Sequence, residues 1–441
     1  MLGKIRKKQI LLCTLMIGAL AVFCGCGKPE AKKDVKEPEH SGSGAVSLTD
    51  DVEAEQVEGK EPDEKFILSA ADFSIELFKN GVNDAVKSGQ NVLISPESVL
   101  TALAMTANGA SGDTLAEMEQ VLSGGSGISI DELNQYMLAY NAGLTEAEDV
   151  TFHIANSIWM RDSDIVNVNH DFLQTDKNYY DADAFTRPFD ISTVDEINGW
   201  VNDNTNGMID TLLGEIPPEV VMYLINAVAF EGEWETVYED YQVNEAGEFT
   251  NASGTKEVVT MLNSTENIYI EDKHATGFVK PYNGGQYAFM AILPEENMAL
   301  SDYIAQMDGS DFISMYNNRS YEEVIAELPE FTYEYEKELS DTLIGMGMGS
   351  AFEKNADFSR MAETDTGMLF ISRIMHKTFI EVDREGTRAA AVTSIEMACD
   401  SVSIDEEPPK TVILDRPFVY AIIDTDTGLP VFIGAVNSVG K

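Results

Sequence analysis

The sequence predicts an α+β fold, one large mixed domain behind a flexible acidic tether. Three observations predict it. Apolar residues fall at helical spacing early in the chain, with Phe66, Ile67, Ala70, Phe73, Leu77 and Phe78 on one stripe. Runs rich in β-branched and aromatic residues follow, and several are apolar on both faces, so their sheets must be covered on both sides. Helical and strand segments mix without a strict βαβ alternation, and no repeat of about 20–50 residues is visible. With 441 residues, 44% of them hydrophobic, the chain can bury a large core.

The first residues are not part of that fold. Lys4, Arg6, Lys7 and Lys8 form a positive head. Ile10–Phe23 is apolar but too short to span a hydrocarbon layer of about 30 Å comfortably. Phe23-Cys24-Gly25-Cys26 then sets a small residue before a cysteine, which resembles a bacterial lipoprotein signal. That resemblance implies cleavage ahead of Cys26, diacylglycerol on its thiol, and a protein lipid-anchored outside the cytoplasm on the cell envelope. The expected parts are a signal peptide over 1–25, a disordered acidic tether over 26–64 and a folded domain over 65–441. The tether has too few apolar side chains to bury.

The formal net charge is −47, and loss of residues 1–25, which carry four positive charges and no negative ones, makes it −51. Nucleic acid is not an expected partner, because little basic surface is left to neutralise phosphates. Solubility is the plain role of so much acid. Of four cysteines, Cys13 and Cys24 leave with the signal and Cys26 carries lipid. Cys399 remains alone, so no internal disulfide is expected and the core must supply stability.

In chain order, Ser95-Pro96 opens a helix that runs almost wholly apolar to Asn108-Gly109, and such a helix is buried on most sides. Asp131–Glu146 reads as a further helix. Strands are predicted at Thr151–Met160, Val220–Gly232, Gln286–Pro294, Glu323–Glu336, Met375–Asp383, Arg416–Asp424 and Pro430–Val436.

Catalytic signatures are missing. The histidines are His40, His153, His170, His274 and His376. The sequence contains no G-x-S-x-G, phosphate loop, dinucleotide fingerprint or zinc spacing. Ser253-Gly254-Thr255-Lys256 fits S-x-x-K but lies in a turn-like run without the other parts of such a site. Asp424–Gly428 has carboxylates without full calcium-loop spacing and reads as a hairpin turn. No enzyme, metal or cofactor is expected, and weight moves to binding or inhibition.

The stretch Glu381–Ser401, EVDREGTRAAAVTSIEMACDS, is the informative one. The β-branched Thr387, Val392, Thr393 and Ile395 are mildly unfavourable in a helix. As a strand, one parity holds Thr387, Ala389, Ala391, Thr393, Ile395 and Met397, and the other holds Arg388, Ala390, Val392, Ser394 and Glu396. Both charges share one face, and the opposite face is small, then apolar. Such a segment can enter a sheet with one face buried, yet has little to hold it while free. Periodicity alone leaves a surface helix or a hairpin arm open.

The segment MHKTFIEVDREGTRAAAVTS resembles the strand, hinge and proximal reactive loop of the serpins. NVLISPESVLTALAMTANGASGDTLAEM resembles the family's second and third helices, and INGWVNDNTNGMID the helix over its main sheet. MYLINAVAFEGEW resembles a central strand ending in the family's tryptophan, here Trp234. LSDTLIGMGMGSAFEKNADFSRM and DRPFVYAIID with GLPVFIGAV complete a series in the family's order, covering about Phe66 to Val439. The resemblance implies about nine helices around three β-sheets, with an exposed reactive loop at about 384–410. It implies an irreversible suicide-substrate inhibitor of serine proteases, a monomer. The protease cuts the loop, and the loop inserts into the main sheet before the acyl-enzyme is hydrolysed; serpin loop insertion is itself a standard example of strand addition and strain release.

Carried over by that resemblance, the hinge is Gly386, Thr387, Ala389, Ala390, Ala391, Val392 and Thr393. It is smooth and free of proline. Arg384 and Arg388 stand where the family often has glutamate, so Arg384 is expected to remove a salt bridge at the top of the sheet. The cluster where the sheet parts is implied at Ser95, Ser98, Asn198, Asn226 and His376. Counting from Gly386 puts the scissile bond at Asp400–Ser401, with Met397, Ala398 and Cys399 as alternatives because the distal loop is extended by IDEEPPK. No Lys or Arg lies between Thr393 and Pro409, so the expected targets are elastase-like, subtilisin-like or Asp-selective serine proteases rather than trypsin-like ones. Asp131–Thr145 contains no Lys or Arg, so no heparin-type cofactor is expected. A non-inhibitory binding lipoprotein and an inhibitor of cysteine proteases are the other readings of the same fold.

Overall fold

The computed structural model describes residues 47–145, 150–365, 369–387 and 408–440. Asp63 caps α1 (Glu64–Lys87), its carboxylate accepting from the Phe66 N–H at 3.0 Å. β1 (Val92–Ile94) leads into α2 (Pro96–Asn108), where Pro96 supplies a preset φ at the first turn. Every residue of α2 is buried, as its unbroken apolar run requires. α3 (Gly112–Leu122) and α4 (Ile130–Thr145) follow. Next come β2 (Val150–Arg161), β3 (Ile165–Val168), α5 (His170–Tyr180), β4 (Asp183–Arg187) and α6 (Ile191–Asn204). A run of strands follows: β5 (Met222–Glu233), β6 (Val243–Thr250), β7 (Lys256–Glu266), β8 (Tyr269–Glu271), β9 (Ala275–Pro281) and β10 (Tyr287–Pro294). Helices α7 (Leu300–Gln306) and α8 (Gly309–Asn317) separate it from β11 (Val324–Pro329) and β12 (Phe331–Glu338). The chain closes with α9 (Ser340–Met346), β13 (Ala362–Thr364), β14 (Arg373–Val382), β15 (Gly386–Thr387), β16 (Lys410–Ile413), β17 (Phe418–Asp424) and β18 (Pro430–Val436).

Among the described residues these make nine helices and three large sheets, with a β13–β3 ribbon besides. The main sheet is ordered β12-β14-β15-β5-β2-β4, the second β1-β18-β17-β10-β9-β8, and a four-stranded third β16-β11-β7-β6. Strands β10, β17 and β18 are buried at every residue, which their two-faced apolar sequence anticipates. Helix α6 lies over the main sheet, packing Ile197 and Trp200 into a cluster with Trp159, Tyr223 and Ile225.

Two expectations change. The predicted strand over Glu323–Glu336 is two strands: β11 pairs with β7 in the third sheet, while β12 pairs with β14 in the main sheet. Proline cannot donate to a ladder, and the chain changes sheet just after Pro329. The tether also ends earlier than 64. Leu48 N–H donates to Ala184 O at 2.7 Å, the Thr49 hydroxyl to Ala182 O at 2.9 Å, and Lys60 N–H to Gln135 O at 2.8 Å. Composition misled here because this segment is held mainly by polar bonds to β4, α5 and α4, with Val52 as a small buried anchor. Asp424–Gly428 is the hairpin turn between β17 and β18, its Gly428 N–H bonded to Asp424 O at 2.8 Å. No helix among the described residues is long and apolar enough to cross a membrane.

Candidate functional site

The centre of the main sheet is polar. β14 and β5 run parallel and pair from Arg373↔Tyr223 to Lys377↔Ala227, which sets His376 opposite Asn226. β2 runs antiparallel to β5 and sets Asn156 opposite Asn226. His376 and Asn226 are thus neighbours by register, and both are buried. Helix α2 reaches this point from below. Ser95 N–H donates to His376 Nε2 at 3.1 Å, and the Ser95 hydroxyl donates to Val431 O at 2.8 Å. Because Nε2 accepts, the proton sits on His376 Nδ1, which donates to Asn226 Oδ1 at 2.9 Å. The Asn226 amide in turn donates to Ser98 O at 3.0 Å, to the Ser98 hydroxyl, and to Asn156 Oδ1 at 2.6 Å. Burial pushes His376 down to about 3, so it stays neutral.

Four of the five expected residues therefore meet: Ser95, Ser98, Asn226 and His376. Asn198 does its bonding elsewhere. Its Oδ1 accepts from the Leu212 and Leu213 N–H groups at 2.8 and 2.9 Å, tying α6 to the segment that follows it. Asn156 takes the remaining place. Its signal was an asparagine at mid-strand in β2, facing another in β5. Beside Ser98, Glu97 is buried with Oε1 accepting from the Thr101 hydroxyl at 2.8 Å and Oε2 without a partner. Desolvation pushes its carboxyl up to about 7.

At the top of the sheet β14 and β5 part, and β15 lies between them. Gly386 pairs with Glu233, and Thr387 with Gly232 on one side and Val382 on the other. The turn that delivers them is closed by Asp383, whose carboxylate accepts from the Glu385 and Gly386 N–H groups at 2.8 and 3.0 Å. A Cβ at position 386 would lie 2.1 Å from Gly232 O, so only glycine fits. Trp234 holds the same turn. Its N–H donates to Glu385 O and its Nε1 to Asp383 O, each at 3.0 Å. The Trp234 ring stacks on Tyr282 at 4.6 Å, and the Tyr282 hydroxyl meets the Thr387 hydroxyl at 2.6 Å. Arg384 keeps an ion pair, with Asp240 at 2.8 Å, so its charge reversal does not leave the sheet top without a salt bridge. Ala389–Thr393, Met397–Ser401 and Cys26 lie outside the described residues.

A family model for "Serpin (serine protease inhibitor)" matches residues 68–439. The chain is a serpin. An uncharacterized serpin-like protein of Thermococcus kodakarensis is 28% identical, over 97% of this chain and 98% of its own. The solved thermophilic serpin tengpin in its native state is 49% identical, covering 89% of this chain and 99% of tengpin, with a TM-score of 0.83. In its latent state the same protein gives a TM-score of 0.75, covering 86% of this chain and 100% of tengpin. The serpin described here thus lies nearer the native arrangement, in keeping with the direct pairing of β14 and β5. Serpins are in general inhibitors of proteases rather than enzymes, and the expected fold stands.

Proposed function

We propose that this serpin traps serine proteases by inserting its cleaved loop between β14 and β5. The protease serine adds to the scissile carbonyl, the peptide bond breaks, and the C-terminal side leaves as an amine. The N-terminal side stays on the protease as an ester. Insertion then competes with hydrolysis of that ester. The observation that carries this reading is the mouth at the top of the main sheet, where β14 and β5 part and Gly386–Thr387 already sit between them. Below the mouth the two strands are joined through a network of exchangeable hydrogen bonds around His376 and Asn226. A full ladder of backbone bonds and a buried apolar face are what insertion gains.

The loop sequence favours targets that cut after Asp400, or after Met397, Ala398 or Cys399, and disfavours trypsin-like enzymes. Diacylglycerol on Cys26 would hold the inhibitor at the outer face of the envelope, where it would meet exported proteases. The test is incubation of the full chain with elastase-like, subtilisin-like, trypsin-like and Asp-selective serine proteases. A heat-stable covalent band on SDS gels is expected with at least one of the first, second and fourth, and the mass of the released C-terminal peptide locates the cut. Cleavage without an adduct across the panel would make the protein a substrate and overturn the proposal.

A further inference from the structure

We propose that the Tyr282 hydroxyl is a positioning group for loop insertion, holding Thr387 so that the incoming strand starts in the correct register. This rests on the inhibitory reading above. Thr387 is the last described residue before the loop, 2% exposed and paired on both sides, with Gly232 and Val382. Its hydroxyl lies 2.6 Å from that of Tyr282, which burial leaves un-ionised. Tyr282 cannot swing away. Its ring is stacked on Trp234 at 4.6 Å and meets Phe230 edge-on at 5.1 Å, and its N–H donates to Tyr287 O at 3.0 Å. Trp234 fixes the other side of the same turn through Asp383 O and Glu385 O. One aromatic stack thus holds the base of the loop by both of its polar tips.

Register is the reason this matters. Side chains alternate along a strand, so a slip of one residue would turn the whole loop over. Thr387 shares its parity with Ala389, Ala391, Thr393 and Ile395, the set able to be buried. The opposite parity brings Arg388 and Glu396 inward, at a prohibitive desolvation cost. A threonine seated by a hydroxyl partner commits the first residue to the buried side before any cut is made. Every later residue then follows in phase. A slipped start would delay insertion while hydrolysis of the ester proceeds, so the loss would show as protease released after cleavage rather than as slower attack.

The experiment uses the full chain and compares Tyr282→Phe, Thr387→Val, Thr387→Ser and the double variant Tyr282→Phe with Thr387→Val. Tyr282→Phe keeps the stacked ring and removes only the oxygen. Hydrogen exchange over residues 384–387, read without any protease, is expected to run about fivefold faster in Tyr282→Phe and in Thr387→Val, the factor for loss of one ordinary hydrogen bond. The double variant should add nothing further, and Thr387→Ser should restore the wild-type rate. With a target protease, the moles of inhibitor consumed per mole trapped should rise in the two single variants while the rate constant for loop attack stays the same. Unchanged exchange in Tyr282→Phe, or additive effects in the double variant, would overturn the proposal. So would an equal fall in attack rate and trapping, which a general loss of structure gives. If the wild type traps no protease, the inhibitory reading fails, and the exchange arm still decides whether Tyr282 seats Thr387.

Discussion

The two six-stranded sheets are built on opposite principles. In the second sheet β10, β17 and β18 present apolar and aromatic side chains to both faces, with Phe289 stacked on Tyr420 at 5.4 Å. In the main sheet the central strands carry buried Asn156, Asn226, His376 and Thr378, linked by hydrogen bonds to one another and to neighbouring elements. Close-packed side chains have no alternative partner of equal worth, so separating them forfeits their whole contact energy. A satisfied hydrogen bond contributes little net and can be re-made with a new partner at small cost, provided no group is left bare. Equal strand number therefore does not mean equal readiness to open. The second sheet is packed, and the main sheet, which the proposed insertion requires to open, is bonded.

The largest expected effect breaks the packed side of that comparison. Ile433 is fully buried between Ile94 and Ala421. Ile433→Ala should cost about 2–5 kcal/mol in thermal or denaturant unfolding, from lost transfer energy and the cavity left behind. Hydrogen exchange at β15 should not change. A cost below about 1 kcal/mol, or faster exchange at Thr387, would mean that the second sheet is not an independent, rigid support.

Glu97 sharpens the comparison through pH. Its carboxyl titrates at about 7 in the folded protein against an ordinary 4.5, so the folded state binds more protons between those values and stability falls as pH rises through them. His376 works the other way. Its folded value of about 3 lies below the ordinary 6.5, so the unfolded state binds more protons and stability falls as pH drops below 6.5. The two slopes oppose each other between pH 4.5 and 6.5. Glu97 acts electrostatically on Tyr140 of α4 and Tyr287 of β10, neither of which supplies a cation. Glu97→Gln should raise stability above pH 7 by on the order of 3 kcal/mol. It should also unmask the His376 slope, so that stability climbs steadily from pH 4.5 to 6.5. Melting temperatures of both proteins across pH 4–8 check this, and parallel curves would refute it.

Asn226→Ala is the matching cut on the bonded side. It leaves His376 Nδ1, Asn156 Oδ1 and the Ser98 groups short of a partner, which should cost about 1–3 kcal/mol. Unlike Ile433→Ala, it should speed exchange of β14 and β5 amides around the Met375–Lys377 pairing by more than it speeds exchange in β17. Uniform acceleration across both sheets would show that the amide network has no special part in opening.

How much of this could be read beforehand follows the same division. The packed elements were legible: the all-buried α2 and the strands β10, β17 and β18 announce themselves by unbroken apolar runs between turn signals. The bonded centre was legible through resemblance, and only in part. Ser95, Ser98, Asn226 and His376 converge, but polar pairing depends on register, which periodicity does not fix. The resemblance puts Asn198 in the cluster, and it is the register of β2 against β5 that brings Asn156 there instead. Tyr282 left no mark, since a tyrosine in V-K-P-Y-N-G-G looks like any turn residue until Thr387 is seen beside it. The split at Pro329 and the packed segment from Ser47 needed tertiary context for the same reason.

The smallest effect tests the top of the main sheet. Arg384, where the serpin resemblance leads one to expect glutamate, pairs its guanidinium with Asp240, whose carboxylate is almost fully in water. Exposed pairs of this kind contribute about 0–1 kcal/mol and weaken with salt. Arg384→Ala should therefore shift stability by less than about 1 kcal/mol, and that shift should vanish in about 1 M salt, where screening acts within about 3 Å. Arg384→Glu, the residue the resemblance leads one to expect, should be the worse of the two. It would set a second carboxylate against Asp240 within a turn that already carries Asp383 and Glu385. The hinge would still be held, because Trp234, Asp383 and Tyr282 grip it through backbone and hydroxyl bonds that owe nothing to that charge. Hydrogen exchange at 384–387 in both variants separates the two sources of order. If it accelerates as much as in Tyr282→Phe, the ion pair holds the loop base as firmly as the aromatic stack does. If it stays slow while the melting temperature barely moves, this serpin fastens its loop by geometry, and its reversed charge is a neutral exchange.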